Sequence, residues 1–422
     1  MITKRTLITK CATVMMALMM AFTFMPWLGN ADGFAATNDA KVLADSIAKE
    51  YASMEDVTTD SNYFWITADM KAYENTYPNT ANIFSTAQKQ LIVNKLIEKI
   101  NAATSPGDLS KSIIALSALG YDASNIKLAS GEPLDGVKKL TDQINQEVVP
   151  NAVKNGYTIG YEIIALQQFG NKYKSEIDKL IALTIEGKSS WEAVTWGTDA
   201  MAPVLVALAP YKKDNQAVKT VIFEALSIAS GYAGINSDGA EGPEGKPSAE
   251  STGLLIAGLK AVGENPNGFY VGKDLMKGLL TAKAENGKGF NYNGKLNAMS
   301  TEQGFRGLIS GLNKDGYRLY NFGSQNLKEV STTCVQKDDN KWVKEKLKSL
   351  KAPNTAVNAK FKKLGYKVST TSQKYTAKVK VKYTVKKKGK KVTKYKTVKK
   401  TKTKKIVQVK LGNTKIASKT FK

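Results

Sequence analysis

Apolar and polar positions along this chain repeat on two scales. Five stretches, 108–120, 156–166, 197–208, 248–259 and 300–312, open on small or polar residues and run into a nearly all-apolar segment. Taking Leu116, Leu166, Leu208, Leu259 and Leu312 as marks, the intervals are 50, 42, 51 and 53 residues. A fainter copy stands at 64–70, about one period earlier. Such a period denotes one supersecondary unit stacked repeatedly. Between these stretches lie more charged helical patterns at 41–51, 86–100, 134–149, 172–186, 217–232 and 273–284. In the second, Leu91, Leu96 and Ile100 recur at helical spacing with lysines on the other side, the mark of a one-sided helix. By contrast, Ile113-Ile-Ala-Leu116 and Val204-Leu-Val-Ala-Leu208 are apolar all round, which predicts burial from both sides.

Six charged helices thus alternate with six apolar ones. The expected fold is mainly α: an (α/α)6 toroid of helical hairpins, apolar helices inside, followed by a small Lys-rich antiparallel β domain. A linear superhelix of helix pairs is the alternative. Closure is favoured because the last inner helix, with Phe305, Leu308, Ile309 and Leu312, is no more polar than its neighbours.

The periodicity then changes from helical to two. Tyr375, Ala377, Val379, Val381, Tyr383 and Val385 alternate with lysine and threonine, a strand signal. Lys387-Lys-Gly-Lys-Lys391 supplies a turn; 392–398, 406–411 and 416–421 supply further strands. The expected sheet has one apolar face and one lysine face. The expected domains are 1–36, a signal peptide; 37–323, the toroid; 324–366, a linker with one short helix near 342–350; and 367–422, the basic sheet.

Charge sharpens that division. The net charge is +25, yet residues 360–422 hold 24 lysines and no acid, so the remainder is nearly neutral. At the other end, Lys4, Arg5 and Lys10 precede an apolar run to Leu28, and small residues at Ala31 and Ala35–Ala36 offer cleavage points, as in a secretion signal. Of the two cysteines, Cys11 and Cys334, only the second would survive cleavage, so no internal disulfide is expected and packing must hold the fold. Histidine is absent, which removes Ser-His and Cys-His nucleophiles and histidine-ligated zinc.

The phrases Ser110-Lys-Ser-Ile-Ile-Ala-Leu-Ser-Ala-Leu-Gly-Tyr-Asp122, Asp199-Ala-Met-Ala-Pro-Val-Leu-Val-Ala-Leu-Ala-Pro-Tyr211, Ala249-Glu-Ser-Thr252 and Ser300-Thr-Glu-Gln303, with the glycine-aromatic turn Gly287-Lys-Gly-Phe290, resemble the α/α toroids of terpenoid cyclases and protein prenyltransferase subunits. The nearest likeness is to toroid repeats of bacterial exported proteins associated with transcobalamin-like modules. It covers roughly residues 40–320 and implies fold more than function. An Asp-x-Asp-Asp run, a zinc set of Asp, Cys and His, and a Cys-Gly-Glu-Gln thioester, the chemistries of the relatives, are all missing from the sequence.

In such a ring the inner helices run parallel and their N-terminal ends share one mouth. Asp108, Asp199, Glu250 and Glu302 would gather there, with Glu162 a turn deeper. As helix-start devices these acids offset the dipole, and Ser300 with Gln303 has the form of a capping box. Two of Glu162, Asp199, Glu250 and Glu302 could instead act as a glycosidic acid/base pair. Trp65, Tyr157, Tyr161, Trp191, Trp196, Phe290 and Tyr292 are candidate platforms for a carbohydrate or peptide ligand. No metal or cofactor is expected; 236–242 with Glu244 is an incomplete calcium loop. Lys378, Lys380, Lys382, Lys386, Lys388 and Lys390 are candidates for contact with an anionic wall polymer or membrane surface, and nucleic acid is the less favoured partner. The sequence therefore reads as a secreted or cell-surface binding protein without enzymatic activity, held at the envelope by its lysine tail. A glycan-active hydrolase or lyase is the alternative, and a ligand-free spacer a third reading.

Overall fold

The computed structural model describes residues 31–78, 84–147, 156–192, 197–242, 247–323, 326–332, 334–363, 366–388, 390–411 and 413–421. The expected leader lies almost wholly outside them. No described helix is long and apolar enough to cross a membrane. The described part is mainly α-helical with a C-terminal antiparallel sheet.

Twelve helices alternate as the sequence pattern anticipates. The charged ones are α1 (Ala31–Ser53), α3 (Thr86–Ala102), α5 (Gly136–Glu147), α7 (Lys174–Glu186), α9 (Gln216–Ser230) and α11 (Leu275–Thr281). The apolar ones are α2 (Tyr63–Thr76), α4 (Pro106–Ala118), α6 (Gly156–Gln167), α8 (Met201–Leu208), α10 (Ala249–Val262) and α12 (Ala298–Gly311). Their starts are set by side-chain caps: Ser85 and Gln88 form a capping box at α3, and Ser105, Ser248 and Asn297 accept N–H groups at α4, α10 and α12. Each such cap contributes about 1 kcal/mol. The capping box expected at Ser300 and Gln303 is not there, because α12 begins earlier, at the Asn297 cap.

The apolar helices pack in series, α2 on α4, α4 on α6, α6 on α8, α8 on α10 and α10 on α12, and α12 packs back on α2. Paired contacts give direction. Arg306 and Asn313, in and just beyond α12, meet Asp69 and Thr76 of α2. Gly160 and Gln167 of α6 meet Pro203 and Ala207 of α8. Gly253 and Ile256 of α10 face Gly304 and Gly311 of α12. Numbers ascend together in each pair, so these neighbours run parallel. Close approach is bought by glycine: a Cβ at Gly253 would overlap the Gln303 carbonyl, and one at Gly160 the Pro203 carbonyl.

The centre of this arrangement is filled. After α12 the chain turns inward through Tyr320, at φ 64°, whose carbonyl accepts from Gln168 Nε2 at 2.9 Å while Gln168 Oε1 accepts the Phe322 N–H at 3.0 Å. A cavity of only about 10 Å3 remains beside Tyr161, Arg306 and Tyr320, at most the room of one water.

The described residues between 326 and 363 hold more than the one short helix expected near 342–350. β5 (Lys328–Ser331) pairs in parallel with β1 (Tyr121–Lys127), which also pairs with β2 (Pro133–Leu134). α13 (Cys334–Ser349) and α14 (Thr355–Lys363) cover the root of the terminal sheet. Val343, Leu347, Phe361, Tyr366, Val407 and Val409 form a second core there, separate from the main one. The small domain is thus α+β and starts about thirty residues before the sheet. In β6 (Lys367–Lys387), β7 (Lys390–Leu411) and β8 (Thr414–Phe421), the order is β6-β7-β8. β8 reaches only Lys405–Leu411 of β7, so the rest of the β6–β7 hairpin projects as a two-stranded ribbon.

Candidate functional site

The acids anticipated at one mouth fall into three environments. Glu302 and Glu162 are fully buried. Glu302 lies one turn into α12 and pairs with Arg306, while Asp69, unnoticed in the sequence, lies 3.9 Å from the guanidinium. Arg306 is flanked by the rings of Trp65, at 5.0 Å, and Tyr320, at 5.5 Å, and donates to Tyr161 Oη at 2.9 Å. Tyr320 in turn donates to Asp69. Burial pushes the Asp69 carboxyl well above the usual range, against the pull of Arg306 and with a push from Glu302, to which it is hydrogen-bonded. Two acids and one guanidinium are thus held together in a dry interior, where a charge is tolerated only when it is paired. Trp65 and Tyr161, expected as open platforms, are therefore walls of a closed ion cluster. The sequence did carry a signal for it: Arg306 is the one arginine inside the repeated helices.

The second environment is the rim of α8, α10 and α12. Glu250 accepts from Ser248 Oγ at 3.0 Å and from Ser300 Oγ, and Asp199 is hydrogen-bonded to Ser251. Burial raises Asp199 above its ordinary value. This hydroxyl–carboxylate chain ties the starts of three helices together. Beside it, Glu241 accepts from Thr198 N–H at 2.7 Å and Thr198 Oγ1 at 2.6 Å; burial pushes it up to about 7. In the supposed calcium loop, Asn236 Oδ1 accepts the backbone N–H groups of Asp238 and Ala240, a closed turn; Glu244 lies outside the described residues. Among the described residues no acid, cysteine or histidine cluster suits a metal.

Asp108 alone borders open space. A cleft of about 380 Å3 lies between the leading ends of α2 and α4, the side of α3 and the turn at 58–61. Phe64, Lys95, Lys99, Asp108 and Lys111 line it.

The remaining aromatic candidates separate by burial. Trp191 and Phe290 are core residues, Trp191 spending its indole N–H on the Thr184 carbonyl at 2.9 Å, so neither can be a platform. Apolar rings of that size end in the core because no other site removes as much surface from water. Tyr292 is exposed on the β3–β4 hairpin (Asn291–Tyr292, Lys295–Leu296). Tyr157 is in α6, and Trp196 lies outside the described residues.

The lysines differ from expectation in one respect that register decides. Residues directly opposite in a sheet share a face. Tyr375, Ala377, Val381 and Tyr383 stand opposite Lys402, Lys400, Lys396 and Lys394, so the supposed apolar face also carries lysines. The other face holds Lys374, Lys378, Lys380, Lys382, Lys386, Lys391 and Lys399. Lys378 faces Lys399, Lys386 faces Lys391 and Lys387 faces Lys390. Lys388 and Lys390 are exposed at the tip. Like charges directly opposite destabilise a ladder, and a lone two-stranded hairpin is marginal.

Comparison of the chain with protein-family models, curated proteins and solved structures finds no match.

Proposed function

We propose that this protein is exported and retained at the anionic cell envelope by its lysine ribbon, and that its helical body is a binding module. The single observation carrying this reading is the projecting hairpin with lysines on both faces, like-charged pairs in register and no acid among residues 360–422. Like-charged pairs weaken that ribbon by itself, and a polyanion laid beside it would relieve the repulsion. A flexible linear polymer can lie along both faces, whereas a planar bilayer meets one. The cell-wall polymer is therefore preferred to a lipid surface. Lysine throughout, with no arginine, fits non-specific charge contact over bidentate phosphate reading.

The body is read as a closed (α/α)6 toroid related to the terpenoid cyclase and prenyltransferase superfamily. The return contact of α12 on α2 supports closure; the leader at 4–28 supports export. The glycan-cleaving alternative has less behind it. Glu302 is committed to Arg306, Glu250 to two serines and Asp199 to Ser251, within packed structure.

The test measures binding of the full chain to long-chain polyphosphate and to phosphatidylglycerol vesicles across salt. Affinity for the polymer should fall steeply between roughly 50 and 200 mM salt. The quadruple changes Lys378/380/382/386→Thr and Lys394/396/400/402→Thr should each lower the log–log salt slope by about 3. Binding indifferent to salt would remove the reading; loss confined to one face would favour a bilayer.

A further inference from the structure

We propose that the projecting ribbon recognises sugar rings as well as charge, so that its partner is an anionic polysaccharide, a polymer combining sugar rings with negative groups. This rests on the envelope reading above and deepens it, by naming the class of polymer that the lysines hold.

The observation is where the ribbon keeps its aromatic residues. Beyond the reach of β8, the hairpin carries Tyr375, Tyr383 and Tyr395. Register sets every one of them directly opposite a lysine: Tyr375 opposite Lys402, Tyr383 opposite Lys394, and Tyr395 opposite Lys382. Residues so placed share a face, with Cβ atoms about 5 Å apart. A ring and an ammonium are therefore presented together three times over. Diagonal lysines add to two of the pairs, Lys404 Nζ lying 6.0 Å from the Tyr375 ring centre and Lys396 Nζ 5.7 Å from that of Tyr383. Tyr375 and Tyr383 occupy one face, about 27 Å apart along the strand. Tyr395 occupies the other, at the level of Tyr383.

These rings do not fill a core. Tyr395 is 65 % and Tyr383 37 % exposed, and the second core contains none of the three. Strand formation does not need them either. Thr393 and Thr397, the neighbours of Tyr395 along its own face, already supply β-propensity. A ring left in water is apolar surface that a partner gains by covering.

A unit with an apolar face and an adjoining negative charge satisfies both groups of such a pair. The C–H face of a sugar ring covers the tyrosine, and an acid group carried beside it meets the lysine. No acid stands among residues 360–422 to answer these lysines from within, so the negative charge comes from the partner. A chain of bare phosphates answers the lysines and leaves the rings in water; a neutral glucan does the reverse. A bilayer reaches one face, whereas tyrosines stand on both. Single-stranded nucleic acid has rings and charge, yet it is held by stacking successive bases on aromatic side chains. The two rings on one face here stand too far apart for that.

The experiment titrates polygalacturonate, long-chain polyphosphate, dextran and single-stranded oligothymidylate into the full chain at fixed low salt. Tyr375→Thr, Tyr383→Thr and Tyr395→Thr, made together, keep strand propensity and every lysine. Polygalacturonate affinity should fall about tenfold, the sum of three modest ring contacts, while polyphosphate affinity is unchanged. Tyr375→Phe, Tyr383→Phe and Tyr395→Phe together keep the rings and should bind polygalacturonate as the parent does. Dextran should not bind. Unchanged or absent polygalacturonate binding, an equal loss for polyphosphate, or the same loss from phenylalanine as from threonine would each overturn the proposal. So would dextran bound as tightly as polygalacturonate. A larger loss for oligothymidylate would give the rings to nucleic acid and overturn it too. Failure of the envelope reading is read separately, as polyphosphate binding that ignores salt.

Discussion

At the scale of residues, the molecule turns on polar groups that have been taken out of water. Arg306 lies 2 % exposed between Trp65 and Tyr320 and pairs with Glu302 beside Asp69, whose carboxyl burial pushes well above its usual range. Removing it strands a buried carboxylate, so Arg306→Ala should cost about 3–5 kcal/mol in urea unfolding. Asp69→Asn keeps an acceptor for the Tyr320 hydroxyl and leaves the Arg306–Glu302 pair in place, so its cost should be smaller than that of Arg306→Ala. Equal losses from the two would show that Asp69 matters to the cluster as much as the Arg306–Glu302 ion pair does. Glu241 gives a pH signature. Its folded value, about 7, lies above its ordinary 4.5, so folding takes up a proton between those pH values. Stability from this group is therefore lost as pH rises through that window. Relative to the parent chain, Glu241→Gln should gain on the order of 3 kcal/mol between pH 5 and pH 8. A constant difference across pH would refute the assignment.

At the scale of elements, two contacts decide geometry. α10 and α12 approach through Gly253, Gly304 and Gly307, where backbone meets backbone. Gly253→Ala must push the pair apart, and a loss of about 1–3 kcal/mol is expected from thermal or chemical unfolding. The ribbon shows the opposite economy. Lys391→Glu replaces a repulsive pair with Lys386 by an attractive one, worth roughly 0.2–1 kcal/mol. Amide exchange near the tip should slow while affinity for polyphosphate drops. Stability and binding moving in the same direction would argue that the lysines are there for solubility. The helix starts were legible beforehand because caps are local: Ser248 opens α10 as its sequence anticipates. The two-faced ribbon was not, because alternation along β6 says nothing about which residues of β7 stand opposite.

At the scale of the whole molecule, the chain divides by core. The main core runs to Val330 and the second begins at Val343. A chain ending at Ser331 should keep the melting transition of the body and lose polymer binding; collapse of the body would mean that α13, which touches α3, is integral to it. Sequence by itself determined the number and alternation of the twelve helices, the strand character of the tail and the separation of charge, since each follows from periodicity or composition within one segment. Tertiary structure alone decided that the centre is plugged by Tyr320, that Asp69 meets Glu302, that β5 joins β1 ahead of α13 and α14, and that lysines occupy both ribbon faces. Those facts depend on groups hundreds of residues apart or on strand register. Local hydrophobic pattern fixes which side of an element is buried, and leaves open what lies against it.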